Sequence, residues 1–403
     1  MDTGDWFNGL ESINFPLAGT LILAWVLIFW SQSKGTESTG KLSWVTSLLP
    51  YICLTALFIG TITLPGATSV GIKKYAEVNV TYLATGQVWR AAAQQVFFSQ
   101  GAAWGVLINF AAHNKYRMNV YTHSWRLSII NAITSFYGGF TVFATLGFLA
   151  LSENNNNIEL AIENFDNVVQ QKQKLAFVVY PVAISQMPVP MFWACLFFLM
   201  LTTLGVGSQV GMFMCLYEGI RDKFQTLRNN PKKFLGALVL LSFILAYPMM
   251  TRAGIQWLNV FDWSVCALSI FIFGFLETIA VSYYFGIDKF MEDIEGMLRF
   301  ELPMRKVWRF AWSVITPLFC FVLIVFNIYD LANNYLCIGG TSIVNGVKKA
   351  NWSPGVNAVG WLIQMIQILP IFYFAATKWR QPMDPRHYDN KHRQLRAEDR
   401  LIF

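Results

Sequence analysis

Apolar residues run in long blocks along this chain, and short polar stretches separate them. Blocks near 16–33, 44–63, 91–112, 126–151, 190–219, 233–250, 256–284, 306–330 and 356–377 reach or approach the ~18 apolar residues that mark a bilayer-crossing helix. The pattern predicts an all-α polytopic membrane protein with about nine transmembrane helices. Two connections are long. The first, 64–90, begins Thr63-Leu-Pro-Gly-Ala67. The second, 152–189, opens polar (SENNNNIELAIENFDN) and turns apolar at Leu175-Ala-Phe-Val-Val-Tyr-Pro181. A connection of that length is unusual in a compact protein, and its apolar half predicts a segment that folds back onto the bundle.

Composition agrees with the pattern. Of 403 residues, 55% are hydrophobic and only 13% charged, about half the charged share of a soluble domain. The connections 33–43, 113–126, 220–233, 285–309 and 378–403 hold 22 of the 30 Lys and Arg residues. Basic loops stay in the cytoplasm, so this set is cytoplasmic, the N-terminus lies outside and the C-terminus inside. The net charge of +7 then belongs to cytoplasmic loops, and no nucleic-acid partner is expected. The N-tail 1–15 is extracellular, with Asp2, Asp5 and Glu11 and no basic residue. It shows no cleavable signal pattern. Cys337 sits in an outer loop, and the six cysteines form neither a disulfide framework nor a metal-binding spacing. Asn79-Val-Thr81 is a glycosylation sequon in an outer loop; Asn351-Trp-Ser353 is a second, weakened by Pro354.

One span carries chemistry. Phe97 to Gly105 reads FFSQGAAWG. Gly101 and Gly105 allow the backbone to unwind, and freed backbone groups at membrane depth need a ligand, a cavity or a neighbouring helix. Glycine spacing alone is better read as a surface for close helix packing. The polar neighbours shift that balance. Gln95, Ser99 and Gln100 cluster on this span, Asn131, Thr134 and Ser135 on the next, and Thr202, Thr203, Gly205, Gly207, Ser208 and Gln209 on the one after. Such clusters line sites or bond one another, and broken helices of secondary transporters hold substrate and ions in this way. Hydroxyl, amide and carbonyl oxygens suit a hard monovalent cation; amide and hydroxyl donors suit chloride. All four histidines, including His113, lie at or beyond predicted cytoplasmic helix ends. No acid–base or metal constellation points to an enzyme.

These residues bring out a resemblance. STGKLSW (38–44), TLPGA (63–67), QVWRAAAQQVFFS (87–99), NAITSF (131–136), LAFVVYP (175–181), FFLMLTTLG (197–205), YYFGIDKFMEDIEGML (283–298) and NAVGWLIQ (357–364) are similar to the neurotransmitter:sodium symporter family, the sodium- and chloride-dependent solute carriers. That family has a twelve-helix fold of two inverted five-helix repeats followed by two more helices. The alignment starts this chain just before the family's fourth helix and leaves out the first three. The resemblance implies a partial inverted-repeat symporter fold. Residues 16–63 would hold two helices ending the first repeat and 64–90 an outer loop. Residues 91–284 would form the second repeat, with its broken helix 91–112 and outer loop 152–189. The last two helices would occupy 306–377 and a cytoplasmic tail 378–403.

The resemblance also implies roles. Ser99, Asn131, Leu204 and Ser208 match sodium ligands. Gln95, Ser99, Asn131 and Ser135 match chloride ligands. Phe98 matches the aromatic that closes over substrate, and Gln100, Gly101, Ala103 and Trp104 complete that pocket wall. Asp262 matches the outer gate and Asp222 the acidic member of the cytoplasmic gate, while His113 stands where the family has a gate tyrosine. Glu277 matches a structural hydrogen-bonding position. There are departures. Gly207 stands where the family has Asp or Thr at its second sodium site. Gln100, Ala103 and Trp104 alter the motif that the family writes SLGxGFGG. The expected function is a sodium-coupled, chloride-dependent symporter of amino acids or amine-like solutes, truncated or degenerate, in the plasma membrane. The alternative is a non-transporting membrane protein that associates with full-length relatives.

Overall fold

The computed structural model describes residues 13–33, 36–78, 80–165, 177, 180–266, 268–333, 341–344, 347–350 and 354–378. The main helices are α1 (Phe15–Ser33), α2 (Thr36–Ile62), α3 (Gly86–Gln100), α4 (Val106–Ala112), α5 (Val120–Glu153), α6 (Pro190–Lys223) and α7 (Pro231–Leu245). They continue with α8 (Gly254–Cys266), α9 (Ser269–Ile279), α10 (Ile287–Leu298), α11 (Arg305–Phe310), α12 (Thr316–Asn333) and α13 (Pro354–Lys378). A π turn at Ala280–Gly286 joins α9 to α10, and another at Ala311–Ile315 joins α11 to α12. Seven continuous helical stretches among the described residues are long and apolar enough to cross a bilayer. They leave large apolar side chains exposed, such as Ile52 at 64% and Ile366 at 71%, as surfaces solvated by lipid do. This is an all-α integral membrane protein; a two-stranded hairpin, Thr341–Val344 with Val347–Ala350, is its small β element.

Several boundaries differ from the sequence reading. The span 256–284 is divided between α8 and α9 and ends in the π turn that follows them, although no Pro or Gly marks the division of the two helices. α7 stops at Leu245, and the 3-10 turn Tyr247–Met250 follows it. Pro248 has no N–H to continue the ladder. α3 starts at Gly86, inside the segment read as the outer loop 64–90. The rest of that segment holds a π turn, Ala67–Ile72, and the short helices Lys73–Ala76 and Val80–Leu83.

The chain divides into two compact units. One comprises Met1–Gly19, Gly86–Trp125 and Ile244–Phe403; the other comprises Thr20–Thr85 and Arg126–Phe243. In the second unit, α2 and α6 pack antiparallel in a seven-residue rhythm. Gly60 seats the Trp193 ring, Cys53 and Met200 are buried together, and Gly207 faces Thr46. A seven-residue repeat keeps one face of each helix toward its neighbour. Gly66 shows why TLPGA reads as it does. Its φ of 83° favours glycine, and an added Cβ would lie 2.7 Å from Leu151 Cβ. The following turn therefore lies directly on α5, where Gly71 and Gly147 meet backbone to backbone.

In the first unit, α8 packs on α13 through Trp257, Val260 and Val356. α10 buries Ile287, Met291 and Leu298 beside Trp308, Trp312 and Tyr121. The two π turns face each other. Ser282 Oγ donates to the carbonyl of Trp312 at 2.8 Å, and Tyr283 Oη donates to that of Ser313 at 2.6 Å. These bonds serve carbonyls that the local change of helical register diverts from the regular ladder.

Candidate ion and substrate site

The helix break lies where the sequence predicts it. α3 ends at Gln100 and α4 begins at Val106. Two bonds close the end of α3: Gly101 N–H donates to Phe98 O at 3.2 Å, and Ala102 N–H donates to Phe97 O at 3.1 Å. The backbone then turns left-handed at Gly101 (φ 66°), Ala103 (φ 62°) and Gly105 (φ 74°). A Cβ on Gly101 would meet nothing within 4 Å, so glycine serves conformation there, not space. Ala103 holds its left-handed conformation at a cost of ~1–2 kcal/mol.

Packing holds the break in place. Ala103 and Trp104 lie against Ala93, Ile270, Phe271 and Leu323, from α3, α9 and α12. Phe97 meets Phe271 edge-on at 5.2 Å, and Gly274 lets it in: a Cβ there would lie 3.1 Å from the Phe97 ring. Phe98, read as the substrate-closing aromatic, is 49% exposed and meets Trp104 edge-on at 5.6 Å. Trp104 Nε1 is buried and has no hydrogen-bond partner among the described residues.

The candidate ion ligands fall into three pairs, each one helical turn apart. Gln95 and Ser99 lie on α3, Asn131 and Ser135 on α5, and Leu204 and Ser208 on α6. An i,i+4 spacing puts both members of a pair on one helix face. Gln95, Ser99, Leu204, Ser135 and Ser208 are exposed; Asn131 and Gln100 are half-buried. The first pair belongs to one unit, and the other two belong to the second. Beside Asn131 and Ser135, Thr134 and Tyr51 share a 2.8 Å hydrogen bond that ties α5 to α2. At Gly207 an added Cβ would lie 3.0 Å from Thr46 Oγ1 and 3.1 Å from Thr46 Cβ.

The candidate gate residues belong to different helices. Asp222 is exposed near the end of α6, 3.9 Å from the Arg221 guanidinium. Arg221 also lies 4.0 Å from the buried Glu218 and stacks over Tyr217. His113 follows α4, with Nδ1 at 3.0 Å from Asn109 O. Asp262 is exposed on α8. The sequon residue Asn79 lies outside the described residues. One contact escaped the sequence reading: Arg90 of α3 pairs with Asp330 of α12 at 2.6 Å. Each charge reads as an ordinary helix-end residue, and only the fold makes them partners.

The model of the sodium:neurotransmitter symporter family matches residues 4–382. The chain belongs to that family. Its members are transporters and not enzymes, so the expectation of no enzymatic chemistry stands for this symporter-family chain. Over 319 residues it is 35% identical to the sodium- and chloride-dependent glycine transporter 2 of Xenopus laevis, covering 79% of this chain and 39% of that protein. It is 34% identical over 321 residues to the sodium-dependent dopamine transporter of Caenorhabditis elegans, covering 79% and 50%. Against the sodium- and chloride-dependent glycine transporter 1 of Xenopus laevis the figures are 35% over 342 residues, 83% and 52%. This symporter-family chain thus spans about half the length, or less, of these curated relatives.

Proposed function

We propose that this chain works in sodium-coupled, chloride-dependent symport of an amino acid or amine-like solute. The observation that carries the reading is the left-handed break at 101–105, one turn beyond the polar pair Gln95 and Ser99. Such a break exposes backbone dipoles beside side-chain oxygens, which is the chemistry of a shared ion and solute site. In this reading Ser99 and Asn131 hold one sodium, and Leu204 and Ser208 help to hold another. Gln95, Ser99, Asn131 and Ser135 hold chloride. Phe98, Gln100, Gly101, Ala103 and Trp104 form the solute wall. Asp262 and Asp222, with His113, stand at the outer and cytoplasmic gates. The cytoplasmic side carries the basic loops, the N-terminus faces outside, and the membrane is the plasma membrane. Sodium binding favours the closed pocket, and alternating access follows from its differential affinity for the two states.

The test is uptake of labelled glycine and dopamine into vesicles carrying the 403-residue chain, with an inward sodium or potassium gradient. Sodium-specific, chloride-dependent uptake is expected, and Ser99→Ala should reduce it by about tenfold, the scale of one lost ligand contact. Equal uptake in sodium and potassium would refute the coupling.

A further inference from the structure

The seam between α2 and α6 places one polar side chain beside the cation ligands of α6. Thr46 is only 7% exposed. Its Oγ1 is the nearest atom of α2 to the point where a side chain at 207 would begin, at 3.0 Å, while its Cγ2 lies at 3.9 Å. The hydroxyl, not the methyl, therefore faces α6. Its proton is directed to the carbonyl of Leu42 at 3.1 Å, with that of Ser43 at 3.4 Å. The oxygen's remaining lone pairs are thereby left for a neighbour outside its own helix. At 100° per residue, positions 204, 207 and 208 share one sector of α6, so this oxygen lies beside the turn that carries Leu204 and Ser208.

We propose that the Thr46 hydroxyl is a ligand for the cation held at Leu204 and Ser208, supplying from α2 the oxygen that Gly207 lacks. The inference rests on the sodium reading of Leu204 and Ser208. A neutral hydroxyl oxygen suits a hard monovalent cation, and it restores a ligand without restoring a charge. The same geometry makes residues 46 and 207 alternatives. A side chain at 207 would begin 3.0 Å from this hydroxyl, tighter than ordinary contact, so it would crowd the oxygen and make an oxygen on α6 the alternative to the one on α2.

The experiment follows the thermal stability of the purified full chain across sodium chloride titrations, with potassium chloride replacing sodium at constant ionic strength. The unaltered chain should be stabilised by sodium specifically, through binding to the folded state. Thr46→Val keeps the volume and removes the oxygen. It should raise the half-saturating sodium concentration about tenfold and leave the melting temperature in potassium close to that of the parent. Thr46→Ser keeps the oxygen and should stay within about twofold of the parent. The exchange Thr46→Ala with Gly207→Ser moves the hydroxyl to α6 and should recover most of the sodium response. A sodium response in Thr46→Val equal to that of the parent overturns the ligand role alone. A parent chain with no sodium-specific response overturns both the ligand role and the sodium reading. Should Thr46→Val fail to fold, the exchange variant decides, and loss of its sodium response overturns the proposal.

Discussion

The break between α3 and α4 and the seam between α2 and α6 both depend on glycine, for opposite reasons. At Gly60 and Gly207 the backbone is ordinary helix, and the absent side chain makes room for Trp193 and Thr46. At Gly101 there is room to spare, and the backbone angle is what disfavours other residues. The seam is regular and close-packed. The break is strained, partly polar, and held by aromatic packing on one side. A glycine inside a membrane span is therefore no single signal. It marks either a close approach or an irregular backbone, and only the second exposes main-chain dipoles to a ligand.

Four perturbations separate these cases, given from the largest expected effect to the smallest. Gly71→Ala sets a methyl against the carbonyl of Phe143 and near Gly147 Cα at 3.1 Å. Backbone must move there, so a loss of ~3 kcal/mol or more is expected in denaturant titrations of the detergent-solubilised chain. Gly60→Ala meets a side chain instead: the Trp193 ring, with Cζ2 at 2.7 Å. A loss of ~1–3 kcal/mol is expected, and Trp193→Leu in the same chain should recover part of it. No recovery would show that Gly60 is not a seat for the ring. Gly101→Ala meets no atom, so its cost should be only the left-handed strain, about 1–2 kcal/mol, and no partner substitution should relieve it.

Ala103→Gly is the smallest and has the opposite sign. Relief of the strain at φ 62° is offset by the entropy of an added glycine, ~0.5–1 kcal/mol. A net stabilisation of about 0.5 kcal/mol is expected. A clear destabilisation would mean that the Ala103 methyl matters more for its packing against the cluster of Ala93, Ile270, Phe271 and Leu323 than for its backbone angle.

A pH dependence probes the packing at one end of the seam. Tyr180 stacks on Phe197 at 4.8 Å, and burial pushes its phenol up to about 12, opposed in part by a hydrogen bond with Thr145. The folded chain thus disfavours phenolate. The resulting stability is intact below the ordinary tyrosine value near 10 and is lost as pH rises toward 12. The melting temperature should fall over that window, and the fall should be shallower in Tyr180→Phe. Equal slopes would place the alkaline sensitivity elsewhere.

Much of the architecture was legible from hydrophobic block length, because a bilayer demands long apolar helices and tolerates few alternatives. The break at 101–105 was legible because glycines and polar residues together are costly at that depth. The division between α8 and α9 was not, since Trp263 to Phe271 reads as unbroken apolar helix. Gly207 read as a lost ligand in the sequence. The fold shows a second cause, the approach of Thr46.

Sequence alone determined the membrane class, the family motifs and the helix faces that carry Gln95 with Ser99, Asn131 with Ser135, and Leu204 with Ser208. Those depend on local periodicity and composition, which one chain carries in full. Tertiary structure alone decided that Arg90 meets Asp330, that Ser282 and Tyr283 serve the carbonyls of the opposite π turn, and that Thr46 fills the place beside Gly207. Each of these joins residues far apart in the chain through shape and the pairing of polar groups. No periodicity records such a match, because it exists only once two helices lie side by side.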